Sequence, residues 1–126
     1  MKTMRILIVD DERLTRISLA DFLAEESFDT AAAGDGESAI ELQRRRPFDV
    51  CIVDIRMPGL DGVETILALH EIGPDSDFII CTGSPQFSVP PALKSVGLSQ
   101  HDVVYKPILD MNVFVQLLKR KSTPQA

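Results

Sequence analysis

Carboxylates directly follow two short apolar runs of the chain. Asp54 comes after the run 50–53, and Asp10 and Asp11 come after the run 6–9. Such runs are typical of strands that are buried on both faces of a parallel sheet. Because open α/β sheets place their ligand sites at the carboxyl ends of the strands, we expect these acids to lie close together. They predict a metal site in which one carboxylate could also act as a nucleophile.

Two further predicted strands end in polar side chains of other types. Thr82 follows the strand 78–81, and Lys106 follows the strand 102–105. Three carboxylates in one pocket repel one another, and a hard divalent cation such as Mg²⁺ relieves that repulsion. Lysine and threonine can bind the oxygens of a phosphoryl group. The residue types therefore predict Mg²⁺-assisted phosphoryl transfer onto Asp54.

Strand-like and helix-like segments alternate five times along the chain. The predicted strands are 4–9, 28–33, 49–53, 78–81 and 102–105. The predicted helices are 13–25, 37–46, 63–71, 92–96 and a last helix that Asp110 could cap. This alternation predicts an α/β fold, with a parallel sheet, right-handed crossovers and helices on both faces. In the first helix, Leu14, Ile17 and the segment 19–23 are expected to face the core.

Composition limits the class of protein. The 126 residues, 44% hydrophobic and 25% charged, suit one globular domain, which we expect to span 1–121 with a polar tail over 122–126. A net charge of -6 argues against direct nucleic-acid binding. Cys51 and Cys81 lie in apolar runs without a CxxC motif, so we expect reduced thiols in a cytoplasmic protein. No run is long enough to predict a signal peptide or a membrane span.

Taken together, these motifs resemble the receiver domain of two-component response regulators. They occur in the family's order, each at a predicted strand end, and cover essentially the whole chain: Asp10-Asp11, Asp54 with the segment 57–62 (MPGLDG), Thr82-Gly83 and Lys106-Pro107. The resemblance implies a flavodoxin-like, doubly wound five-stranded parallel sheet of order 2-1-3-4-5, flanked by five helices. It also implies a histidine kinase or histidine phosphotransfer protein as the phosphoryl donor.

The resemblance implies a role for each acid of the site. Asp54 would be the phosphoryl acceptor. Asp11, Asp54 and the backbone carbonyl of Arg56 would bind Mg²⁺ directly, whereas Asp10 would act mainly through a metal-bound water. The protein would not be an enzyme in its own right, because it would catalyse only its own phosphorylation and slow dephosphorylation.

The resemblance also assigns the cation and the hydroxyl. Lys106 would pair with Asp54 before phosphorylation and with the phosphoryl group afterwards. Thr82 would move toward the phosphoryl group and shift the nearby surface. A cis peptide bond between Lys106 and Pro107 is implied as well.

The chain departs from the family's pattern at the position of the switch aromatic. The family usually carries Tyr or Phe three residues before the lysine, where this chain has Val103. Tyr105 lies two residues on and so on the same face of a strand. Tyr105 either substitutes for the missing aromatic or packs at the strand end with its hydroxyl in water.

Two further regions concern partners and the lifetime of the phosphorylated state. Prolines in the segment 84–91 and a long segment 97–101 predict a short or displaced fourth helix. In the family, the fourth helix, fifth strand and fifth helix bind an output domain, a partner protein or a second copy, so we expect an altered partner surface. Arg56 and Ser84 occupy variable positions that, in the family, tune access of water to the acyl phosphate.

The sequence is also compatible with two other functions. The fold could be an interaction module that works without phosphorylation and keeps a vestigial acidic pocket. It could also be a Mg²⁺-dependent phosphatase with an aspartyl nucleophile. Such phosphatases usually need a second acid two residues after the nucleophile, where this chain has Arg56.

Overall fold

The structure, a computed structural model, describes residues 3–122 without the side chain of Ser122. Its strands are β1 Arg5–Val9, β2 Asp29–Ala33, β3 Val50–Asp54, β4 Asp77–Thr82 and β5 Val103–Tyr105. Its helices are α1 Arg13–Glu25, α2 Gly36–Arg45, α3 Gly62–Ile72, α4 Pro91–Lys94 and α5 Asn112–Ser122, with a 3₁₀ turn at Gln100–Asp102. Every predicted segment is present within a few residues of its expected bounds. Of the predicted tail, Ser122 ends α5, and 123–126 lie outside the described residues.

The sheet is parallel throughout, with the order β2-β1-β3-β4-β5. This confirms the doubly wound, flavodoxin-like architecture. All five residues of the central strand β3 are buried, which explains why its sequence is an unbroken apolar run ending in Asp54. The carboxyl ends of β1, β3, β4 and β5 therefore share one edge.

Alternation along the strands divides the hydrophobic interior into two cores. The α2–α3 core contains Leu7 and Val9 of β1 with residues of α2, α3 and α4. The α1–α5 core contains Ile6 and Ile8 of β1 with residues of α1 and α5. Neighbouring residues of one strand thus serve opposite faces of the sheet.

The prediction that Leu14 and Ile17 of α1 face the core is wrong. Leu14 is 79% exposed and Ile17 is 41% exposed, whereas Leu19 and Leu23 are buried in the α1–α5 core. At 3.6 residues per turn, positions 14 and 17 lie on the opposite side of the helix from positions 19 and 23. Two apolar side chains of α1 consequently face outward.

Helices α2, α3 and α5 begin at acidic side chains. Asp35 accepts from the Ser38 N–H at 2.7 Å, and Asp61 accepts from the Glu64 N–H at 2.9 Å in a reciprocal capping box. Asp110 accepts from the Asn112 N–H at 3.0 Å in the turn that precedes α5. The Asp110 contact agrees with the capping role expected of that residue.

The fourth helix is short, as the prolines predict. It has four residues, begins after Pro90 with Pro91 in its first turn, and is preceded by an irregular segment, 83–90. This segment still packs inward, because Val89 is buried and Phe87 lies against the α2–α3 core. Among the described residues, no helix is long and apolar enough to cross a membrane.

Candidate functional site

Three carboxylates meet at the carboxyl edge of the sheet. Asp10 at the end of β1 and Asp54 at the end of β3 are 4% and 5% exposed, whereas Asp11 is open to solvent. One oxygen of each carboxylate lies within 4.8 Å of the others. Parallel pairing of β1 with β3 causes this proximity, because Val9 and Val53, the residues just before Asp10 and Asp54, are register partners.

The loop after β3 holds the Asp54 side chain in place. Its Oδ1 accepts from the Arg56 N–H at 3.1 Å, and the Gly62 N–H donates to the Ile55 carbonyl at 3.1 Å. A Cβ at Gly62 would lie 2.4 Å from the backbone oxygen of Asp54, a separation at which atoms clash. Glycine at this position therefore lets the start of α3 pack directly against the acceptor loop.

Lys106 places its ammonium among three carboxylates. Its Nζ lies 2.9 Å from Asp10, 3.4 Å from Glu12 and 3.6 Å from Asp54. Lys106 and Asp54 thus lie within ion-pair distance, as the resemblance implies, but the closest partner is Asp10. The Lys106 N–H also donates to the Thr82 carbonyl at 2.7 Å, and the Lys106–Pro107 bond is cis, as expected.

These surroundings raise the pKa values of Asp54 and Lys106, which favours the neutral form of the acid and the charged form of the lysine. Burial is the main factor that raises the pKa of Asp54, to about 6; the charges of Asp10 and Asp11 add to the rise, while the Arg56 N–H and Lys106 oppose it. Burial alone would lower the pKa of Lys106, but its hydrogen bond to Asp10 and the nearby carboxylate charges raise it well above the ordinary value. The pocket therefore favours bound cations.

The acids fit a hard divalent cation such as Mg²⁺. All the converging side-chain ligands are carboxylate oxygens, which is the donor type that Mg²⁺ prefers. The exposed Asp11 offers its oxygens to an ion that retains several waters. Burial of Asp54, together with its repulsion by Asp10 and Asp11, raises its pKa, and a bound cation would offset both effects.

Thr82 is fully buried at the end of β4, next to the site. Its Oγ1 accepts from the Ser84 N–H at 3.1 Å. Within residues 3–122, no hydrogen bond donated by the Thr82 hydroxyl is found, so its proton is available to another oxygen.

Val103 and Tyr105 occupy different environments. Val103 is half-buried against the α2–α3 core, whereas Tyr105 is 37% exposed. The Tyr105 hydroxyl donates to the Phe87 carbonyl at 2.7 Å and accepts from the Gln100 side-chain amide. The Tyr105 hydroxyl is thus bound by two protein groups at a site open to solvent, and its role as a substitute for the switch aromatic stays a prediction.

Two residues near the acids were not expected from the sequence. Glu12 binds Lys106, and its own carboxylate accepts a hydrogen bond from the Thr15 hydroxyl, the main factor that lowers its pKa. Arg16 donates from Nη1 to the Asp10 carbonyl at 2.7 Å. The position of Glu12 next to Asp10-Asp11 could have indicated its place in the site. No feature of the sequence pointed to Arg16.

The family model of the response regulator receiver domain matches residues 6–119. The chain is 34% identical over 120 residues to protein-glutamate methylesterase/protein-glutamine glutaminase 5 of Anaeromyxobacter dehalogenans, covering 91% of this chain but 32% of that protein. It is 28% identical to the chemotaxis protein CheY of Thermotoga maritima, covering 91% and 95% of the two chains. It is 31% identical to the response regulator MprA of Mycobacterium leprae, covering 96% of this chain and 53% of that one.

Solved structures agree with this match. A two-component transcriptional regulator AraC from Clostridium phytofermentans superposes with a TM-score of 0.76 at 32% identity, covering 94% of this chain and 91% of that chain. The chemotaxis protein CheY4 of Vibrio cholerae superposes with a TM-score of 0.80 at 23% identity, covering 94% and 98%, and supports the fold alone. From its fold, the order of its motifs and the family match, the chain belongs to the response regulator receiver domains of two-component systems.

Proposed function

We propose that Asp54 accepts a phosphoryl group from a histidine kinase or a histidine phosphotransfer protein in a Mg²⁺-dependent reaction. One observation carries the proposal: the Asp54 carboxylate lies within 4.8 Å of two other acids and 3.6 Å from the Lys106 ammonium, in a pocket open to solvent. A nucleophile, a cation and metal ligands are thus brought together where a phosphoryl group can enter.

Besides the phosphorylated donor, the step requires only a proton from the solvent. An Asp54 oxygen forms a bond to phosphorus while the bond between phosphorus and the donor's histidine nitrogen breaks. The electron pair of the broken bond stays on the imidazole, which takes a proton from water. The product is an acyl phosphate on Asp54 and a free histidine on the donor, so the receiver catalyses only its own modification.

The residues around Asp54 orient the group and balance its charge. Lys106 would give up its contact with the exposed Glu12 and bind a phosphoryl oxygen while retaining Asp10, since the Glu12 contact, at 3.4 Å, is the longer and more solvated one. The Thr82 hydroxyl would donate to a second phosphoryl oxygen. Asp11, Asp54 and the Arg56 carbonyl would hold Mg²⁺, with Asp10 acting through a water; when bound, the ion neutralises phosphoryl charge.

Exposed apolar side chains beside the pocket support docking of a protein donor. Leu14 on α1 and Leu109 in the loop before α5 are 79% and 93% exposed. Leu14 lines the same groove as Lys106 and Met111. A donor protein that covers this groove would bury Leu14 while presenting its phosphohistidine to Asp54. We propose that the exchange takes place in the cytoplasm, because the two cysteines of the chain are free and buried, as in proteins of reducing compartments.

We further propose that the signal leaves the site through the segment 83–90. Ser84 binds the Thr82 hydroxyl oxygen through its N–H, the Phe87 N–H donates to the Ser84 carbonyl at 3.1 Å, and Tyr105 holds the Phe87 carbonyl. Movement of Thr82 toward a phosphoryl group would strain this chain of bonds. Tyr105, rather than Val103, would then report the change to α4, β5 and α5, where an output domain, partner protein or second copy binds.

Arg56 and Ser84 are proposed to set the lifetime of the acyl phosphate. Arg56 is exposed and lines the pocket, and Ser84 is half-buried next to Thr82. Arg56 would act directly on a water that enters the pocket, and Ser84 would act through its contact with Thr82. Substitution of either residue is expected to change the rate of dephosphorylation, measured from the decay of the phosphorylated mass. It should leave Asp54 as the residue that is phosphorylated.

The test is incubation of the chain with Mg²⁺ and a small phosphoramidate, followed by intact-mass measurement. We expect the addition of one phosphoryl group, lost in Asp54→Asn and lost when EDTA removes the metal. Asp75→Asn, an exposed acid away from the pocket, is the matched control and should be modified like the wild type. No gain in mass, or a gain that survives Asp54→Asn, would refute the proposal.

The same experiment separates the alternatives. An interaction module with a vestigial pocket would remain unmodified, but the complete set of acids, Thr82 and Lys106 in one pocket disfavours it. A phosphatase would turn over many molecules of a phosphorylated substrate. It is disfavoured because Arg56 places a cation where such enzymes use a second acid.

A further inference from the structure

Arg16 connects α1 to the end of β1. Its Nη1 donates to the Asp10 carbonyl at 2.7 Å, and the side chain is half-buried. The guanidinium lies across Gly34, where an added Cβ would be 3.1 Å from Nη1 and 3.5 Å from Cζ. The missing side chain at Gly34 thus leaves the space that the guanidinium fills.

The Asp10 carbonyl needs this donor because the sheet does not supply one. Strand pairing of β1 ends at Val9 on both sides, opposite Ala33 of β2 and Val53 of β3. The Asp10 N–H still donates to the Ala33 carbonyl at 3.1 Å, but the Asp10 carbonyl lies past the ladder. Asp10 is 4% exposed, and a buried carbonyl without a partner is costly.

The hydrogen bond to the Asp10 carbonyl also orients the backbone N and Cα atoms of Asp11. The carbonyl of Asp10 and the N and Cα atoms of Asp11 belong to one planar peptide unit. Within the described part of the chain, no hydrogen bond or ion pair holds the Asp11 carboxylate. By contrast, the Asp10 carboxylate is held by the Glu12 N–H and by Lys106. The direction of the Asp11 side chain therefore depends on its backbone.

We propose that Arg16 is a positioning residue of the metal site, which aims Asp11 by holding the Asp10–Asp11 peptide. The inference rests on the proposed Mg²⁺ site. It predicts the direction in which Mg²⁺ affinity changes when Arg16 is removed. A cation near an acidic pocket should weaken metal binding by repulsion, so its removal should tighten binding. If Arg16 acts as a positioning residue, its removal weakens binding instead.

The experiment compares Arg16→Met with Arg13→Met, since Arg13 is an exposed arginine of the same helix and gives the same change of charge. Mg²⁺ affinity of the full chain is measured by calorimetric titration, and folding by urea denaturation. We expect Arg16→Met to weaken Mg²⁺ binding on the order of 10-fold, the usual effect of losing a group that orients a metal ligand. Arg13→Met should leave the affinity unchanged or slightly tighter.

Two further variants distinguish positioning from a general loss of stability. Arg16→Lys keeps a long cationic donor and should recover most of the affinity. Gly34→Leu keeps the charge, and because a Cβ at this position would already be 3.1 Å from Nη1, the atoms beyond it would occupy the space of the guanidinium; this variant should weaken Mg²⁺ binding as Arg16→Met does. If Arg16→Met does not fold, Gly34→Leu is the deciding variant.

The outcomes are distinct. Equal or tighter Mg²⁺ binding by Arg16→Met, or unchanged binding by Gly34→Leu, overturns the role of Arg16 while leaving the proposed function intact. A wild-type chain that shows no saturable Mg²⁺ binding instead refutes the proposed metal site itself, and the role of Arg16 with it.

Discussion

Replacing Asp54 by asparagine should stabilise the folded chain at neutral pH when no divalent ion is present. The Asp54 side chain is 6% exposed, and its burial, with the charges of two neighbouring acids, raises its pKa from 3.8 to about 6. The unfolded chain therefore releases this proton at a lower pH than the folded chain does. Ionised Asp54 lowers the free energy of unfolding, whereas a neutral asparagine of similar shape does not.

The size of the effect follows from the two pKa values. The difference between 3.8 and about 6 corresponds to about 3 kcal/mol of unfolding free energy. Because the raised pKa belongs to an acid, the destabilisation is absent below 3.8, grows as the pH rises toward about 6, and is complete above that value. Asparagine retains an oxygen that can accept from the Arg56 N–H, so little of the gain is lost.

Urea denaturation in EDTA at about pH 7.5 and about pH 4 measures this difference. We expect Asp54→Asn to be more stable than the wild type by about 3 kcal/mol at the higher pH and by close to zero at the lower. Asp75→Asn, which changes the net charge equally at an exposed position, should show neither effect. Equal or lower stability of Asp54→Asn at the higher pH, or a gap independent of pH, would refute the reasoning.

Three other substitutions have defined outcomes. Gly62→Ala should destabilise the chain by about 3 kcal/mol in urea, because its Cβ would lie 2.4 Å from the Asp54 carbonyl; an unchanged midpoint would contradict that packing. Lys106→Met should cost about 3 kcal/mol by leaving Asp10 without its cation, with much of the loss recovered in Mg²⁺. Gln43→Leu should cost about 3 kcal/mol in thermal unfolding, since it strands the Phe48 N–H and two other buried partners of Gln43; a loss below about 1 kcal/mol would show that they find new ones.

The convergence of Asp10, Asp11, Asp54, Thr82 and Lys106 could be predicted from sequence for a topological reason. Parallel strands bring their carboxyl ends to one edge, so knowing the strands is enough to bring their last residues together. No side-chain geometry is needed for that inference, and small errors in strand bounds do not change it.

Side-chain partners could not be predicted in the same way. The long stem of Lys106 reaches three carboxylates, and only the packing of the loops decides that Asp10 is the closest. The Tyr105 hydroxyl finds Phe87, eighteen residues away, because an irregular segment passes beside β5. Leu14 and Ile17 were misplaced because hydrophobicity alone does not say which side of a helix meets the sheet.

The division of the interior into two cores has a consequence for how the domain tolerates change. Leu23 and Phe114 lie in the α1–α5 core, and Ile66 and Leu93 lie in the α2–α3 core, with the sheet between the two sets. Substitutions on opposite faces share no side-chain neighbours, so their effects on stability should add. The helices on one face of the sheet can therefore be repacked without disturbing those on the other face, while the strand ends between them keep the same chemistry.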